Sequence, residues 1–278
     1  MAAHPPLSQL VLAARSVADD LGYVALADLS QVFEGEPDSY RVIGGHMVTA
    51  LVGRWSLGAE LYRETGDTDL GVPPVVIRHE NLVSRLEDLG YVKVEGNRFA
   101  KVVTDVPVRL PDDPTAHQTA IIDVLVGAYT SRARQNRKVG DIYTTEVPGL
   151  PLALKRPPVA IQLTLHRMNG EVVRAELSFP DELSALILKA FATTVRTKGT
   201  DVVDLWRCLE VAFAAAVGPS HFNSEKEKEG AEVVRRLFRE RSGPGLMALI
   251  TEQRLSVNAA DARFTRLRAL VDRVLGLA

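Results

Sequence analysis

The stretch that most constrains this chain runs from residue 63 to residue 70 and reads Arg-Glu-Thr-Gly-Asp-Thr-Asp-Leu. Asp67 and Asp69 are two residues apart, so in an extended chain their side chains lie on the same face. Two carboxylates on one face repel each other unless a cation lies between them, and Mg²⁺ favours carboxylate and phosphate oxygens. The stretch therefore predicts a magnesium site for a nucleotide. A polar turn is the alternative, because Gly and Asp are both turn residues.

A third carboxylate stands inside an apolar run of the sequence. Residues 120–127 have the pattern of a buried strand, and Asp123 lies in its middle. A buried charge there needs a metal or an oppositely charged partner. The sequence leaves open whether Asp123 joins the metal site or pairs with a nearby arginine.

Two glycines connect a predicted strand to a predicted helix. Residues 40–43 have a strand pattern, and Gly44 and Gly45 lead into a helix over residues 46–54. A glycine turn at a helix N-terminus lets backbone N–H groups approach a triphosphate. We therefore predict that both glycines bind the nucleotide, with an ordinary tight turn as the alternative. His46 is predicted to begin the helix near the ligand rather than to bind a metal.

Charged residues on two later helices form the next candidate group. Lys189 and Arg196 are seven residues apart and therefore share a helix face, and Asp204 lies one turn beyond Asp201 on the following helix. From spacing alone, Asp204 could form an ordinary surface ion pair, and Lys189 with Arg196 could be a solvated edge.

The remaining pattern predicts an α+β protein. Residues 7–21 have the spacing of an amphipathic helix that ends at Gly22, and hairpin patterns cover residues 91–103 and 159–177. From residue 181 onward the sequence predicts helices over residues 181–196, 200–217, 224–240, 243–252 and 257–276. We therefore predict a mixed α/β domain over residues 1–179 and a helical domain over residues 180–278.

Composition restricts the function classes. Acidic and basic residues nearly balance, 35 against 33, so global charge does not indicate a nucleic-acid binder. Cys208 is the only cysteine, which excludes an internal disulfide and a multi-cysteine zinc site and fits a reducing cytoplasm. We expect no signal peptide and no membrane span, because no apolar run approaches the roughly 20 residues that a span needs.

One local stretch is strongly basic. Four basic residues follow the Asp123 strand within residues 131–140, namely Arg132, Arg134, Arg137 and Lys138. These side chains are predicted to contact the phosphates of an RNA substrate. A solvated loop is the alternative, since most charge runs are exposed surface.

Together these residues resemble a known family. The order of Gly-Gly, Asp-x-Asp and a later strand Asp resembles the nucleotidyltransferase superfamily, whose fold is like the palm of DNA polymerase β. The set Arg63-x-Thr65-x-Asp67-x-Asp69, then Asp123, then Lys189, Arg196, Asp201 and Asp204-Leu205 resembles the AbiEii/MenT group of bacterial nucleotidyltransferase toxins. The resemblance covers roughly residues 40 to 210.

The resemblance implies a role for each matching residue. Asp67, Asp69 and Asp123 would bind Mg²⁺ or Mn²⁺, and Asp123 would also help to deprotonate the attacking hydroxyl. Lys189 would act on the pyrophosphate leaving group. Asp204, the last of the implied catalytic residues, would hold Lys189 or Arg196 in place or contact the nucleotide. The residues implied in NTP binding are Gly44, Gly45, Arg63, Thr65, Lys189 and Arg196.

The resemblance also implies a function. Members of this group transfer a nucleotide from an NTP to RNA, typically to the 3′ end of tRNA, and so arrest translation. A cognate antitoxin would be a further partner. Two alternatives stay open: a nucleotidyltransferase whose acceptor is a protein side chain or a small molecule such as an antibiotic, and an NTP-binding module without activity.

Overall fold

The computed structural model describes residues 8–79, 81–106, 118–129, 133–195 and 198–276. Its strands are β1 (Gln9–Ala13), β2 (Arg41–Ile43), β3 (Asp67–Val72), β4 (Val92–Glu95), β5 (Arg98–Val103), β6 (Gln118–Gly127), β7 (Arg137–Val139), β8 (Ile142–Thr144), β9 (Glu146–Val147), β10 (Val159–His166) and β11 (Val172–Phe179). Its helices are α1 (Val17–Val32), α2 (Gly44–Arg54), α3 (Pro74–His79), α4 (Leu82–Asp88), α5 (Leu150–Lys155), α6 (Glu182–Val195), α7 (Gly199–Ala214), α8 (Glu225–Phe238), α9 (Pro244–Gln253) and α10 (Val257–Leu275). The predicted α+β class is confirmed.

The largest sheet places the candidate residues in one row. Its strand order is β2-β3-β6-β5-β4, with β9 beside β6; β3 and β6 are parallel, and β2 and β5 are antiparallel to their neighbours. The register aligns Ile43 with Asp69, Asp69 with Asp123, and Asp123 with Arg98. Because side chains in register lie on the same side of a sheet, two carboxylates and one guanidinium share a face.

The opposite face of this sheet forms the core. Leu70, Ile122 and Val124 alternate with the row residues and are fully buried, and α1 contacts β3 and β6. Burial on that face fixes the register, because a slip of one residue would turn the carboxylates into the core. The predicted extended conformation of Asp67 and Asp69 is therefore confirmed, and the predicted polar turn is not present there.

A second sheet corrects one prediction. Residues 9–13, predicted within a helix over residues 7–21, form strand β1, which pairs in parallel with β10 in a sheet ordered β1-β10-β11. Their apolar residues also fit a period of two, with Leu10 buried between exposed neighbours. The strand forms rather than the helix because the edge of β10 provides hydrogen-bond partners. Gln162 N donates to Ser8 O at 2.9 Å, and Ala14 N donates to His166 O at 2.9 Å.

Helix α1 begins later than predicted and continues through Gly22. Ser16 caps it by accepting a hydrogen bond from Asp19 N at 3.2 Å. Residue 22 lies inside the helix and is a glycine because α2 approaches closely there. A Cβ at this position would lie 2.5 Å from His46 Nε2 and 3.0 Å from Thr65 O. A residue that resembles a helix stop in the sequence is therefore a contact point between two helices.

We expect Gly22→Ala to destabilise the protein by about 1–3 kcal/mol, because overpacking against His46 outweighs the gain in helix propensity. The measurement is the free energy of unfolding in urea. Gly218→Ala is the matched control, since a Cβ there meets nothing within 4 Å. Equal stability of the two variants would contradict the close approach of α1 and α2.

The C-terminal part is helical, as predicted. Helices α6 to α10 match the five predicted ranges to within a few residues, and the predicted hairpins correspond to β4–β5 and β10–β11. Helices α6 and α7 pack against each other and both contact α2. The division into residues 1–179 and 180–278 stays a prediction. No helix in the described parts of the chain is both long enough and apolar enough to cross a bilayer.

Candidate active site

One cavity of about 600 Å³ opens on the carboxylate face of the large sheet. Asp69, Asp123, Gly44 and Lys189 line it, so four of the predicted site residues meet in one place. Gly44 has a φ of +70°, and a Cβ there would lie 1.8 Å from Asp69 Oδ2. Only glycine meets both requirements, so the start of α2 and the carboxylate of Asp69 lie in direct contact.

Arg98, which the sequence analysis did not single out, binds two of the three predicted metal ligands. Its Nε donates to Asp123 Oδ1 at 2.9 Å and its Nη2 to Asp123 Oδ2 at 2.7 Å. The same Nη2 donates to Asp67 Oδ2 at 3.1 Å. The hydrogen bonds to Asp123, together with its charge and that of Asp67, raise the pKa of Arg98. The arginine pairing left open for Asp123 is thus present.

The carboxylates suit a divalent ion, although not as a set of three. No group of three or more His, Cys, Asp or Glu side chains in the described part of the chain is arranged to hold a metal ion, and Asp67 and Asp123 converge on Arg98 instead. Mg²⁺ is usually bound by one or two carboxylates together with substrate phosphates. Asp69, beside Gly44 and in the cavity lining, offers such a carboxylate.

A buried cluster of charges joins α6 and α7 to the segment that precedes β3, and we call it the Asp204 cluster: Asp204, Lys189, Arg63 and Arg207. Lys189 Nζ donates to Asp204 Oδ2 at 2.8 Å. Arg63 reaches both oxygens of Asp204 at 2.9 Å, and Arg207 Nη1 reaches Oδ1 at 2.9 Å. The predicted contact between Asp204 and Lys189 is present, and it is buried rather than on a solvated edge.

The Asp204 cluster carries more positive than negative charge. Three cations surround one carboxylate, whose side chain is 1% exposed. Although burial opposes ionisation, the charges of Lys189, Arg63 and Arg207 hold the pKa of Asp204 below its usual range. The surplus of cations beside the cavity suits an anionic ligand, because the net positive charge of the cluster attracts negative charge to the cavity.

Residues 63 and 65 lie beside the start of α2. A Cβ on Gly45 would lie 2.1 Å from Thr65 Oγ1 and 2.8 Å from Arg63 Nη2. Because glycine has no side chain, Thr65 and Arg63 can pack directly against the backbone of α2 there. Thr65 is buried, and its backbone N–H donates to Asp19 Oδ1 at 3.4 Å. Gly45, Arg63 and Thr65, all implied in NTP binding, thus lie together, although none of the three is in the cavity lining.

Burial shifts the pKa of two groups near this region. Burial, with the positive charge of Arg63, lowers the pKa of His46 to about 3, so the imidazole is neutral near pH 7 and is a weak base. Burial raises the pKa of the Cys208 thiol to about 12. Cys208 is therefore not suited to nucleophilic catalysis at neutral pH, since a thiolate is the reactive form of cysteine.

A residue that the sequence analysis missed pairs with two arginines of the basic stretch. Arg134 Nη2 and Arg137 Nη1 donate to Glu146 Oε1 at 3.0 and 2.9 Å, and the side chain of Glu146 is only 1% exposed. Lys138 is exposed. Two predicted site residues, Arg132 and Arg196, lie outside the described residues.

The rest of the cavity lining combines charged and polar groups with apolar surface. The charged and polar groups come from Glu95, Asn97, Arg98, Gln135, Asn136, Tyr143, Thr145 and Glu146, and the remainder from Gly96, Ile43, Met47, Leu125, Val147, Pro148, Leu188, Ala192 and Val195. The cavity is large enough for a nucleotide-sized ligand, since such sites range from about 300 to 1,000 Å³.

No protein family model matches this sequence, and no curated protein does. A solved structure with some similarity is the crystal structure of an antigenic nucleotidyltransferase-like protein from Paracoccidioides brasiliensis. It is 17% identical, with 88% of this chain and 93% of that chain covered and a TM-score of 0.40. Similarity at this level carries no argument about function, so the proposals below depend on the geometry of the cavity.

Proposed function

We propose that this chain is a nucleotidyltransferase that transfers a nucleoside monophosphate from an NTP to an acceptor hydroxyl, with Mg²⁺ or Mn²⁺ as cofactor. One observation carries the proposal: the same cavity is lined by the carboxylates of Asp69 and Asp123, by Gly44 at the start of α2, and by Lys189. Carboxylates suit a hard divalent ion, and an ammonium group suits a phosphate. Reaction at a triphosphate needs both kinds of group.

The start of α2 and the Asp204 cluster would bind the triphosphate. Backbone N–H groups at a helix N-terminus favour phosphate, and α2 begins at Gly44, which lines the cavity. Lys189, held by Asp204, would neutralise charge on the leaving pyrophosphate. A divalent ion bound beside Asp69 would supply further charge neutralisation on the phosphate oxygens.

The proposed reaction forms one P–O bond and breaks another. The acceptor oxygen attacks the α-phosphorus, the bond from the α-phosphorus to the bridging oxygen breaks, and pyrophosphate leaves with that electron pair. We assign the hydroxyl proton to Asp123, a carboxylate in the cavity lining. Most of the barrier reduction would come from positioning and from charges placed around the phosphates.

The acceptor that we propose is RNA, and within RNA the 3′ end of tRNA. Such a transfer would block translation, so the protein would act as a toxin that a cognate antitoxin restrains. The support is the resemblance of the two separated motifs, together with their meeting in space: Arg63 from the first and Lys189 from the second both bind Asp204.

The test is transfer of label from NTP to RNA. The purified protein is incubated with Mg²⁺, each α-labelled NTP in turn, and total tRNA. We expect label in tRNA with at least one NTP, and no label when EDTA is added. Label in protein or in an aminoglycoside, but not in RNA, would support nucleotidyl transfer and show that the acceptor is not RNA. Absence of both label transfer and pyrophosphate release would refute the nucleotidyltransferase.

A small-molecule or protein acceptor is the second candidate, and one observation favours it: Arg134 and Arg137 are already paired with Glu146. An RNA acceptor requires that basic side chains contact phosphates. With Arg134, Arg137 and Lys138 changed to Gln, we expect the slope of log tRNA affinity against log salt to become shallower by about one for each phosphate that the protein no longer neutralises.

The measurement is tRNA binding across a salt series. Lys226→Gln combined with Lys228→Gln is the control, since it removes two exposed charges from α8 and should leave the slope unchanged. Parallel slopes for wild type and the triple variant would exclude this basic stretch as the RNA-binding surface and would strengthen the second candidate.

A further inference from the structure

We propose that the guanidinium of Arg98 occupies the position between Asp67 and Asp123 and excludes a divalent ion from it. The metal of the proposed reaction would then bind on the side of Asp69. This inference rests on the proposed function, because it concerns the metal that the function would use. It differs from the expectation that all three carboxylates bind metal, and it gives Arg98 a positioning role.

The position of Arg98 is fixed by the backbone. Arg98 is the first residue of β5 and the cross-strand partner of Asp123 in the antiparallel pair with β6. Val124 N donates to Asn97 O at 2.9 Å beside this pair. Opposite charges placed directly across two strands attract each other, so the guanidinium reaches the carboxylate without a loop rearrangement.

The contacts of Arg98 replace those that a metal ion would make. Its planar fork binds both oxygens of Asp123, and its Nη2 also binds Asp67. A bidentate pair of this kind is among the stronger charge-assisted interactions. A divalent ion bridging Asp67 and Asp123 would have to displace the guanidinium from three hydrogen bonds.

The charge of Arg98 offsets one of the two negative charges that Asp67 and Asp123 bring. Without Arg98 the three carboxylates would attract a further cation, because like charges on one face are unfavourable.

The test is a count of bound Mn²⁺, which can replace Mg²⁺ at oxygen ligands. Free Mn²⁺ is followed by its electron paramagnetic resonance signal during titration of the full chain with MnCl₂, without nucleotide. We expect Arg98→Gln to bind one Mn²⁺ more per chain than wild type at saturation. Arg98→Lys, which keeps the charge, should match wild type.

The matched control is Lys101→Gln, which removes a cation from the same strand whose partner is Asp28 and which is not in the cavity lining. It should bind as many Mn²⁺ ions as wild type. Circular dichroism establishes that each variant is folded, and Arg98→Met, which is uncharged and of similar length, replaces Arg98→Gln if that variant does not fold. Thermal unfolding of the neutral variant should respond to Mn²⁺ more strongly than that of wild type.

The difference between variant and wild type decides the proposal. An extra ion in the neutral variant supports it, and equal numbers in a folded neutral variant overturn it. The number bound by wild type tests the metal of the proposed function separately. A wild-type protein that binds no Mn²⁺ and transfers no nucleotide would refute that function, while the difference would still decide the role of Arg98.

Discussion

Asp69→Asn is expected to lower the rate of nucleotidyl transfer by about a thousandfold, since metal-assisted charge neutralisation is worth several kcal/mol at the transition state. Asp69 lies against Gly44 at the start of α2 and lines the cavity. In the proposed reaction its carboxylate would hold the divalent ion beside the phosphates. Asparagine has nearly the same shape but no charge. The fold should therefore persist while metal-dependent transfer becomes slow.

The measurement is the initial rate of label transfer at saturating Mg²⁺ and NTP, with circular dichroism and urea unfolding as checks on the fold. Asp88→Asn is the matched control, because Asp88 is exposed on α4 and lies outside the cavity lining. Its rate should equal that of wild type. A folded Asp69→Asn protein with a near-normal rate would move the active site away from this cavity.

The sequence predicts those parts of the site that depend on local pattern. Side chains alternate between the two faces of a strand, so burial of Leu70 places Asp67 and Asp69 together on the opposite face. The two glycines that begin α2 are also recognisable locally, because a strand, two glycines and further helical residues form one continuous pattern. These features need no knowledge of distant neighbours.

The parts that sequence analysis missed depend on contacts between distant elements. Arg98 meets Asp123 only through the register of β5 with β6, and Glu146 meets Arg134 only after the chain has formed β7 to β9. A signal for Arg98 was nevertheless available, since it opens a predicted strand next to the strand that carries a buried Asp. Pairing charged strand residues across a predicted hairpin would have found it.

The wrong prediction of a helix over residues 7–21 has the same origin. The apolar residues of that range fit a helical period and also a period of two, so local pattern alone does not decide. The edge of β10 provides hydrogen bonds that favour the strand over residues 9–13, and Ser16 then begins the helix. Tertiary pairing thus overrides a local preference.

The Asp204 cluster carries the largest expected effect on stability. Asp204→Asn should lower the free energy of unfolding by about 3–5 kcal/mol, the usual cost of breaking a buried ion pair. Lys189, Arg63 and Arg207 all bind this one carboxylate. Asparagine would leave their charges uncompensated in a site where water has little access.

Urea unfolding near pH 7 measures this destabilisation, and the surface pair of Arg241 with Asp261 supplies the control. Asp261→Asn should cost less than about 1 kcal/mol, because exposed ion pairs contribute little.

The stability that Asp204 contributes depends on pH with a defined sign. Its cations hold the pKa of Asp204 below the usual range, so this stability is complete above the unfolded pKa of about 3.9 and is lost as the pH falls below that value. The difference between wild type and Asp204→Asn should therefore stay constant near neutral pH and shrink in strong acid. A destabilisation no larger than that of Asp261→Asn would mean that the three cations find other partners or water, and the Asp204 cluster could not then hold Lys189 in place for the leaving pyrophosphate.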